Sequence, residues 1–400
     1  MGKYALIMVF ALTVMLGILM PNVFRAGYQS SQNYLNYEIH TVAHNNASSG
    51  ANVALSSFFF DTTWRSGLSS MPLNGGTYSV SVSNINGNQI QFRSIGVFQN
   101  TRDTVTVVVQ PGNFASYGYY SKVEGNITWV TGDTIWGPFH TQSTMKISGT
   151  PVFWGRVSAF NGTNPRNSTA IFKNGYITGE NIDLPLDLHA AENAAISGGK
   201  LFSSGDVWLT FNGNSVTWKT SANGAATTTP LSTFAPNGII TTSSGNMHIQ
   251  GVVDARLTLC AEGTSPTGGS IYIDDDIVYG HDPRTTSTTD MLGLLADNNV
   301  IITDDSANHS NVNVQASIFC RTGGLTAENY SSRGVSGSLN LLGGVIQYQR
   351  GAVGTFNSSG GVVTITSGFK KNYIYDTRFA TTSPPYFPFT GKYQLVSWYE

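Results

Sequence analysis

The first sixty residues change from a continuous apolar run to a mixed pattern. The run Tyr4–Met20 holds nine Leu, Ile, Val or Phe residues and no charge, and Pro21 follows it. On an insertion scale of roughly −0.3 to −0.6 kcal/mol for each such residue, the run favours a membrane by about 3 to 5 kcal/mol. As a helix it spans roughly 25 Å, close to the thickness of the hydrocarbon core. The pattern predicts a membrane-inserted helix.

A secretory signal peptide is the alternative interpretation of this segment. The apolar region of a signal peptide usually ends within about 7–15 residues at a small-x-small cleavage site. The run is longer in this chain, and the only candidate site is Phe24-Arg25-Ala26. Lys3 favours an amino terminus kept on the inner side of the membrane. We therefore expect the segment to be retained, and its membrane and assembly residues are Lys3, Tyr4, Leu6, Ile7, Val9, Phe10, Leu12, Val14, Leu16, Ile18, Leu19 and Pro21.

Beyond Pro21 the pattern predicts more helix and then a small sheet. A proline kinks a helix but leaves both ends helical. Apolar residues in rough helical spacing continue the helix to residue 60; they are Tyr34, Leu35, Tyr37, Ile39, Val42, Val53, Ala54 and Leu55. Residues 61–111 then hold three alternating runs that predict an antiparallel meander, with Asn-Gly at 86–87 at its first turn. The runs are Thr77–Val82, Gln89–Ser94 and Asp103–Gln110.

Residues 112–400 show a different spacing of apolar and turn-forming residues. From about Gly118, short β-prone runs recur at roughly 8–12-residue spacing between turn residues. Helical patterns interrupt them at 188–196 and 290–298. A β-sandwich of ~100 residues would have to be much enlarged to hold this length, whereas coils of ~20–25 residues grow by stacking. The sequence thus predicts a mainly β fold with a long N-terminal α-helix, a small antiparallel sheet and a parallel β-helix-like domain over 112–400.

Composition and cysteine usage narrow the function classes. Charged residues make up 11% of the chain and the net charge is −2. This leaves no basic field for nucleic acid, so none is expected as a partner. Cys260 and Cys320 each lie near the end of a strand-like run. In an exported protein they permit one disulfide, and two buried thiols are the equal alternative.

Candidate chemistry is sparse. The sequence has no Gly-rich phosphate loop, nucleophile elbow or HExxH motif, so it indicates no catalytic residue and no cofactor. Strand alternation places Asp274 and Asp276 on one face, where they would suit Ca²⁺ or an acid–base pair. The alternative is a solvated strand end, because the acidic spacing of calcium loops is missing. These two residues are the only metal candidates.

Two further segments suit either a ligand or packing between coils. Trp136 and Phe139 stand near Asp133 and His140, which would suit a glycan platform or an inter-coil contact. Near the carboxy terminus several charged residues could pair with one another, and PPYFPF follows them as a lid or as the wall of a groove. These charged residues are Arg350, Lys370, Lys371, Asp376 and Arg378.

The order of these features resembles two protein families. The uncharged first half of the helix, Pro21, the small-residue stretch ASSGANVAL and GGTYSV resemble type IV pilins over residues 1–111, and the PilX-type minor pilins most of all. Most pilins carry an early glutamate, whereas this helix has no acidic residue before Glu38. Over 118–400, WVTGDTIWGPFHTQS and NVQASIFCRTGGLTAENY resemble an uncharacterised family of bacterial exported proteins with pilin-like amino termini.

The resemblance implies a structural subunit of an extracellular, type IV pilin-like filament at the cell surface, with a β-rich body for adhesion. Its expected partners are copies of itself or pilin-like co-subunits, the inner membrane before assembly, and a glycan or surface ligand. Two alternatives remain open. One is a surface-anchored β-helix enzyme that cleaves polysaccharide with Asp274 and Asp276, and the other is a membrane-tethered protein that never polymerises.

Overall fold

The computed structural model describes residues 2–85, 88–263, 268–359 and 362–400. It confirms a mainly β fold that begins with one long α-helix and contains a small antiparallel sheet and a larger, mostly parallel β body. The chain divides into two compact units, residues 1–111 with 393–400 and residues 112–392. The predicted turn at Asn86-Gly87 lies outside the described residues.

The first half of the chain contains one long helix followed by strands. The chain begins with α1 (Gly2–Phe60), β1 (Leu68–Leu73), β2 (Gly76–Ile85), β3 (Gln89–Phe98) and β4 (Thr101–Asn113). Short strands come next: β5 (Tyr119–Val123), β6 (Trp129–Val130), β7 (Thr134–Ile135), β8 (Phe139–Thr141), β9 (Met145–Ser148), β10 (Val152–Phe153), β11 (Val157–Ala159), β12 (Thr163–Asn164), β13 (Ile171–Phe172) and β14 (Tyr176–Thr178).

The described residues beyond 178 form two more α-helices and sixteen strands. These are α2 (His189–Gly198), β15 (Lys200–Phe202), β16 (Val207–Gly213), β17 (Ser215–Lys219), β18 (Thr227–Pro230), α3 (Leu231–Phe234), β19 (Ile239–Thr242), β20 (Met247–Val253), β21 (Arg256–Ala261), β22 (Ile271–Tyr279), β23 (Met291–Ala296), β24 (Val300–Ile302), β25 (Val312–Cys320), β26 (Leu325–Ala327), β27 (Val335–Gln349), β28 (Gly354–Ser359), β29 (Val362–Ile374) and β30 (Phe389–Tyr399). Short 3-10 helices occupy 114–116, 306–309 and 377–380.

The first unit is built on a five-stranded sheet in the order β1-β2-β3-β4-β30. Strands β1 to β4 form an antiparallel meander. The three strands expected from the sequence are β2, β3 and β4, and the structure adds β1 before them and β30 from the end of the chain. Residues 393–400 therefore belong to the first unit, although the sequence placed them in the 112–400 domain. A strand that joins a sheet across nearly three hundred residues leaves no local signal of its partner.

Small residues dock the second half of α1 on this sheet. Its buried face repeats every three or four residues, the spacing of one side of a helix. The face consists of Ala43, Asn46, Ala47, Gly50, Ala51, Ala54 and Phe58. The apolar residues named from the helical spacing are not all on this face: Ala54 is buried there, whereas Val53 is 43% exposed. The two backbones come very close: a Cβ built on Gly96 of β3 would lie 2.1 Å from the carbonyl oxygen of Ala43.

The second unit is a stack of mostly parallel strands, in which strands two to four apart along the chain pair with one another. One sheet runs through β15, β19, β21, β23, β25 and β27. It continues from β27 through β5, β8, β11 and β14. The coils of residues 119–178 thus extend the stack at its carboxy-terminal end. A second sheet contains β16, β20 and β22, and its later strands β25, β27 and β29 also pair in parallel.

The longer sheet is buried on both faces. Leu292 and Leu294 of β23 belong to the core cluster between the sheets, whereas Met291 and Leu295 belong to a second buried cluster, which also contains residues of α2. The helix expected at 188–196 is present as α2, but the helical pattern expected at 290–298 was wrong, because β23 lies there. A short, uninterrupted apolar run fits a strand buried on both faces as well as it fits a helix.

Candidate functional site

The first half of α1 is an unburied apolar surface. The helix is continuous from Gly2 to Phe60 and includes Pro21. The predicted assembly residues all lie on this exposed half, with Leu12 at 57% exposure. The helix is long and apolar enough to cross a membrane, and no residue of its most apolar window is buried. An exposed apolar surface of this extent has to be buried by lipid or by other protein molecules.

Polar groups within and just after the apolar half are satisfied by the helix itself. The Thr13 hydroxyl donates to the Val9 carbonyl at 2.8 Å, and the Asn22 amide donates to the Ile18 carbonyl at 3.1 Å. Pro21 has no N–H and so cannot donate to the carbonyl of Gly17. Side chains that bond their own backbone in this way lower the cost of placing polar groups in lipid. The segment is therefore chemically suited to an apolar environment along its length.

Asp274 and Asp276 lie on β22, as their predicted alternation required, but each is bound to a different partner. A carboxylate oxygen of Asp274 lies 3.0 Å from the Nδ1 atom of His248, which makes a hydrogen bond or, when the imidazole is protonated, an ion pair. Asp276 accepts two 2.7 Å hydrogen bonds from Asn313, one from its backbone N–H and one from its side chain. Both carboxylates therefore hold neighbouring strands together, and the structure does not gather them into one metal or acid–base site.

Two other groups of side chains lie close enough to share a cation within the described part of the chain. They are His189, Glu192 and Glu262, and Asp254, His281 and Asp290, with ligand atoms within 4.8 Å of one another in each group. Burial, followed by repulsion from Glu192, raises the pKa of Glu262 to about 7. Neither group contains a residue that the sequence singled out as a ligand, because each combines segments that are distant along the chain.

The two cysteines are free and buried, which agrees with the second of the two alternatives, a pair of buried thiols. Cys260 is paired in register with Leu295, which pairs in turn with Phe319, the neighbour of Cys320. Two strand spacings separate the thiols by about 10 Å, beyond the reach of a disulfide. Cys320 also points into the interior, whereas Cys260 packs on the opposite face of the sheet.

The charged residues near the carboxy terminus do not form one network. Arg378 binds Asp376 through its Nη2, 2.6 Å from a carboxylate oxygen. Arg350 instead pairs with Glu124 at 3.1 Å, and both of these side chains are buried. PPYFPF covers the face of the longer sheet, where Phe387 packs against Phe319. The segment therefore covers strands in the middle of the stack and does not close its last coil.

A cleft of about 860 Å³ opens where residues 126–136 face residues 350–356 and 365–373. Its wall contains the aromatic residues Tyr119, Trp129 and Tyr373 and the cations Arg350 and Lys371. The guanidinium of Arg350 lies 3.9 Å from the centre of the Trp129 ring. Concave sites that combine aromatic walls with a few polar groups are the usual places for small ligands. This cleft is the candidate binding site of the second unit.

Trp136, at the rim of this cleft, forms a platform with Trp154. The two rings are stacked, with their centroids 5.2 Å apart and their planes inclined by 2°. Trp136 is 53% exposed and Trp154 is 41% exposed. His140, by contrast, is fully buried with its Nδ1 2.7 Å from the Ser158 hydroxyl. The sequence singled out Trp136 but missed Trp154 and Glu124. The repeated Ile-Trp-Gly and Phe-Trp-Gly at 135–137 and 153–155 was the signal for the pair.

Comparison with known proteins adds a structural likeness. Neither a protein-family model nor a curated protein matches the chain. Among solved structures, the chain is similar to the competence-associated pilin ComZ from Thermus thermophilus, with 12% identity and a TM-score of 0.38. The match covers 90% of this chain and 97% of that one. A likeness at this level leaves the function to be argued from the residues of this chain.

Proposed function

We propose that the chain is a membrane-inserted subunit of a type IV pilin-like filament and displays its β body at the cell surface. The observation that carries the proposal is the division of α1 into two halves. Residues 4–20 are uncharged and exposed, whereas residues 43–58 pack on a sheet through mostly small side chains. The helix is held by the sheet at its carboxy-terminal end and exposes apolar side chains at its amino-terminal end. Such a helix is suited to enter first a bilayer and then a bundle of equivalent helices.

The energetics favour both environments over water. The apolar run gains about 3 to 5 kcal/mol in the membrane, so the free chain stays inserted. Helices that leave the membrane must bury the same surface against one another, as apolar side chains do in a protein core. The expected partners are therefore copies of this chain or co-subunits with similar helices. The inner membrane is the reservoir from which they assemble.

A tether that never polymerises is the second candidate, favoured by one feature of the helix. No acidic residue precedes Glu38, so no carboxylate is available in the apolar half to neutralise a neighbour's terminal amine. The polysaccharide-cleaving enzyme draws less support, because Asp274 and Asp276 are each held by a partner on another strand. Assembly without an early glutamate would rest on apolar packing alone.

Electron microscopy of material sheared from the surface of the native cell tests the proposal. We expect thin fibres that contain this chain, and mass spectrometry of the sheared chain should find residues 4–20 still attached. The chain found only in the membrane pellet, with no fibres, would favour the tether. A mature chain that starts after Ala26 would overturn both forms of the proposal, because the apolar surface would then be absent from the finished protein.

A further inference from the structure

The cleft is lined by an exposed lysine, Lys371, at a position where the preceding coils place buried apolar residues. Val312, Leu339 and Lys371 are paired in register on successive strands β25, β27 and β29. Val312 and Leu339 are almost fully buried in the core. Along β29 itself, Phe369 and Tyr373 pack with that core on either side of Lys371. Strand alternation therefore points Lys371 inward, into the cleft that it lines.

The positive charge of the cleft is only partly compensated. Glu124 is the partner of Arg350 and also accepts 3.0 Å hydrogen bonds from Tyr119 and Trp129. Within the described residues, no carboxylate lies within 4.0 Å of the ammonium of Lys371 or of the neighbouring Lys370, which also lines the cleft. The remaining carboxylate of the wall, Asp133, accepts a hydrogen bond from the N–H of Val130.

Arg350 also has a donor to spare. It is 7% exposed, and its Nε atom has no hydrogen-bond partner in the described part of the chain. A buried donor without a partner is costly and usually indicates a missing acceptor. A ligand carboxylate in the cleft would supply acceptors for this guanidinium edge and a counter-charge for Lys371. Charge-assisted hydrogen bonds of this kind are about twice as strong as neutral ones.

The tryptophan platform extends the cleft along neighbouring coils. Trp136 follows β7 and Trp154 follows β10, and these two strands pair in parallel. Lys173, which follows the next strand β13, lies with its Nζ 5.4 Å from the centre of the Trp154 ring. The negative face of an indole attracts the C–H groups of a pyranose ring, and its flat surface matches one. The surface between the cleft and Lys173 thus presents both aromatic rings and cations.

We propose that the cleft and the Trp136–Trp154 platform bind an acidic polysaccharide. A uronic-acid carboxylate binds Lys371 and Arg350, and the flanking sugar rings stack on the two tryptophans. The inference deepens the proposed display function by naming a ligand class, yet binding in the cleft does not require a filament. The few cations of the cleft do not form the extended basic surface that binds the phosphate backbone of a nucleic acid.

Calorimetry on the full chain in detergent micelles tests this proposal, with hexagalacturonate as the ligand. Its fully methyl-esterified form is the matched ligand, because it removes the charge and keeps the same sugar rings and linkages. We expect hexagalacturonate to bind at least tenfold more tightly than the ester, and Lys371→Gln to abolish that difference. Trp136→Ala should weaken both ligands. Trp208→Ala removes an aromatic ring that stacks on His248 outside the cleft, and it should leave binding unchanged.

Lys371→Leu separates a binding role from a structural one. It extends the apolar ladder of Val312 and Leu339, so we expect the melting temperature to be retained while hexagalacturonate binding is lost. Equal binding of the acid and the ester, no binding at millimolar ligand, or tighter binding of a single-stranded oligonucleotide of equal charge would each overturn the proposal. These outcomes are independent of whether fibres form. A failure of carboxylate binding is therefore distinct from a failure of the filament proposal.

Discussion

Leu12→Asp places a charge in the exposed middle of the apolar half of α1. On the insertion scale a central Asp costs about 2.5 to 3.5 kcal/mol where Leu gains roughly 0.3 to 0.6, so the change is about 3 to 4 kcal/mol. That equals most of the total gain of the run. The docked face begins at Ala43, about 45 Å further along the helix at 1.5 Å per residue. The sheet and its core should therefore fold normally in the variant.

The assay is flotation of the purified chain with phospholipid vesicles over a range of lipid concentrations. A change of about 3 to 4 kcal/mol lowers the partition constant roughly 100- to 1,000-fold. Asn36→Asp is the matched control: it adds the same charge to the same helix at an exposed polar position beyond Pro21. We expect its partition to match that of the native chain. In cells, the abundance of sheared fibres should fall in parallel for Leu12→Asp alone.

Two results would refute the reasoning. A partition constant for Leu12→Asp within about threefold of the native value would mean that the apolar half does not enter the bilayer. Surface fibres at normal abundance would mean that this half does not pack at the centre of the fibre, because a buried, unpaired carboxylate there costs several kcal/mol. Loss of membrane binding in both aspartate variants would indicate a general effect of charge and not the loss of a specific apolar contact.

Three further predictions test the packing of each unit. Burial lowers the pKa of His140 to about 4, so as the pH falls its imidazole takes up a proton in the unfolded chain before it does so in the folded chain. Urea unfolding should therefore show that about 2 kcal/mol of stability is lost between pH 7 and pH 5. The variant His140→Gln should remove this loss. Gly96→Ala should destabilise the first unit by about 1 to 3 kcal/mol in thermal unfolding, because the added methyl meets helix backbone, whereas Gly27→Ala, with open space around it, should not. Burial raises the pKa of both Cys260 and Cys320, so iodoacetamide should modify neither thiol until the chain is unfolded, and diamide should produce no intramolecular disulfide.

The sequence predicted the elements better than it predicted their partners. Composition and turn spacing were enough to predict the long helix, the three central strands of the meander and a parallel-rich body. They were not enough for β23, because a run buried on both faces lacks the alternation that distinguishes strand from helix. The docked face of α1 was missed for a related reason. Close packing against Gly96 selects Ala and Gly, which carry little apolar signal, over larger residues such as Val53.

The candidate site shows why register decides what a sequence can reveal in a stack of coils. In the run KKNYIYD, Lys371 and Tyr373 alternate with Lys370 and Asn372, and either phase could face the core. Only the pairing of Lys371 with Leu339 identifies the lysine as the inward residue. Lys371 ends an inward apolar ladder and is exposed in the cleft, so its ammonium is placed to bind an anionic ligand. In such a fold, a candidate binding site is therefore a position where a charged residue is paired in register with the inward apolar residues of the neighbouring coils.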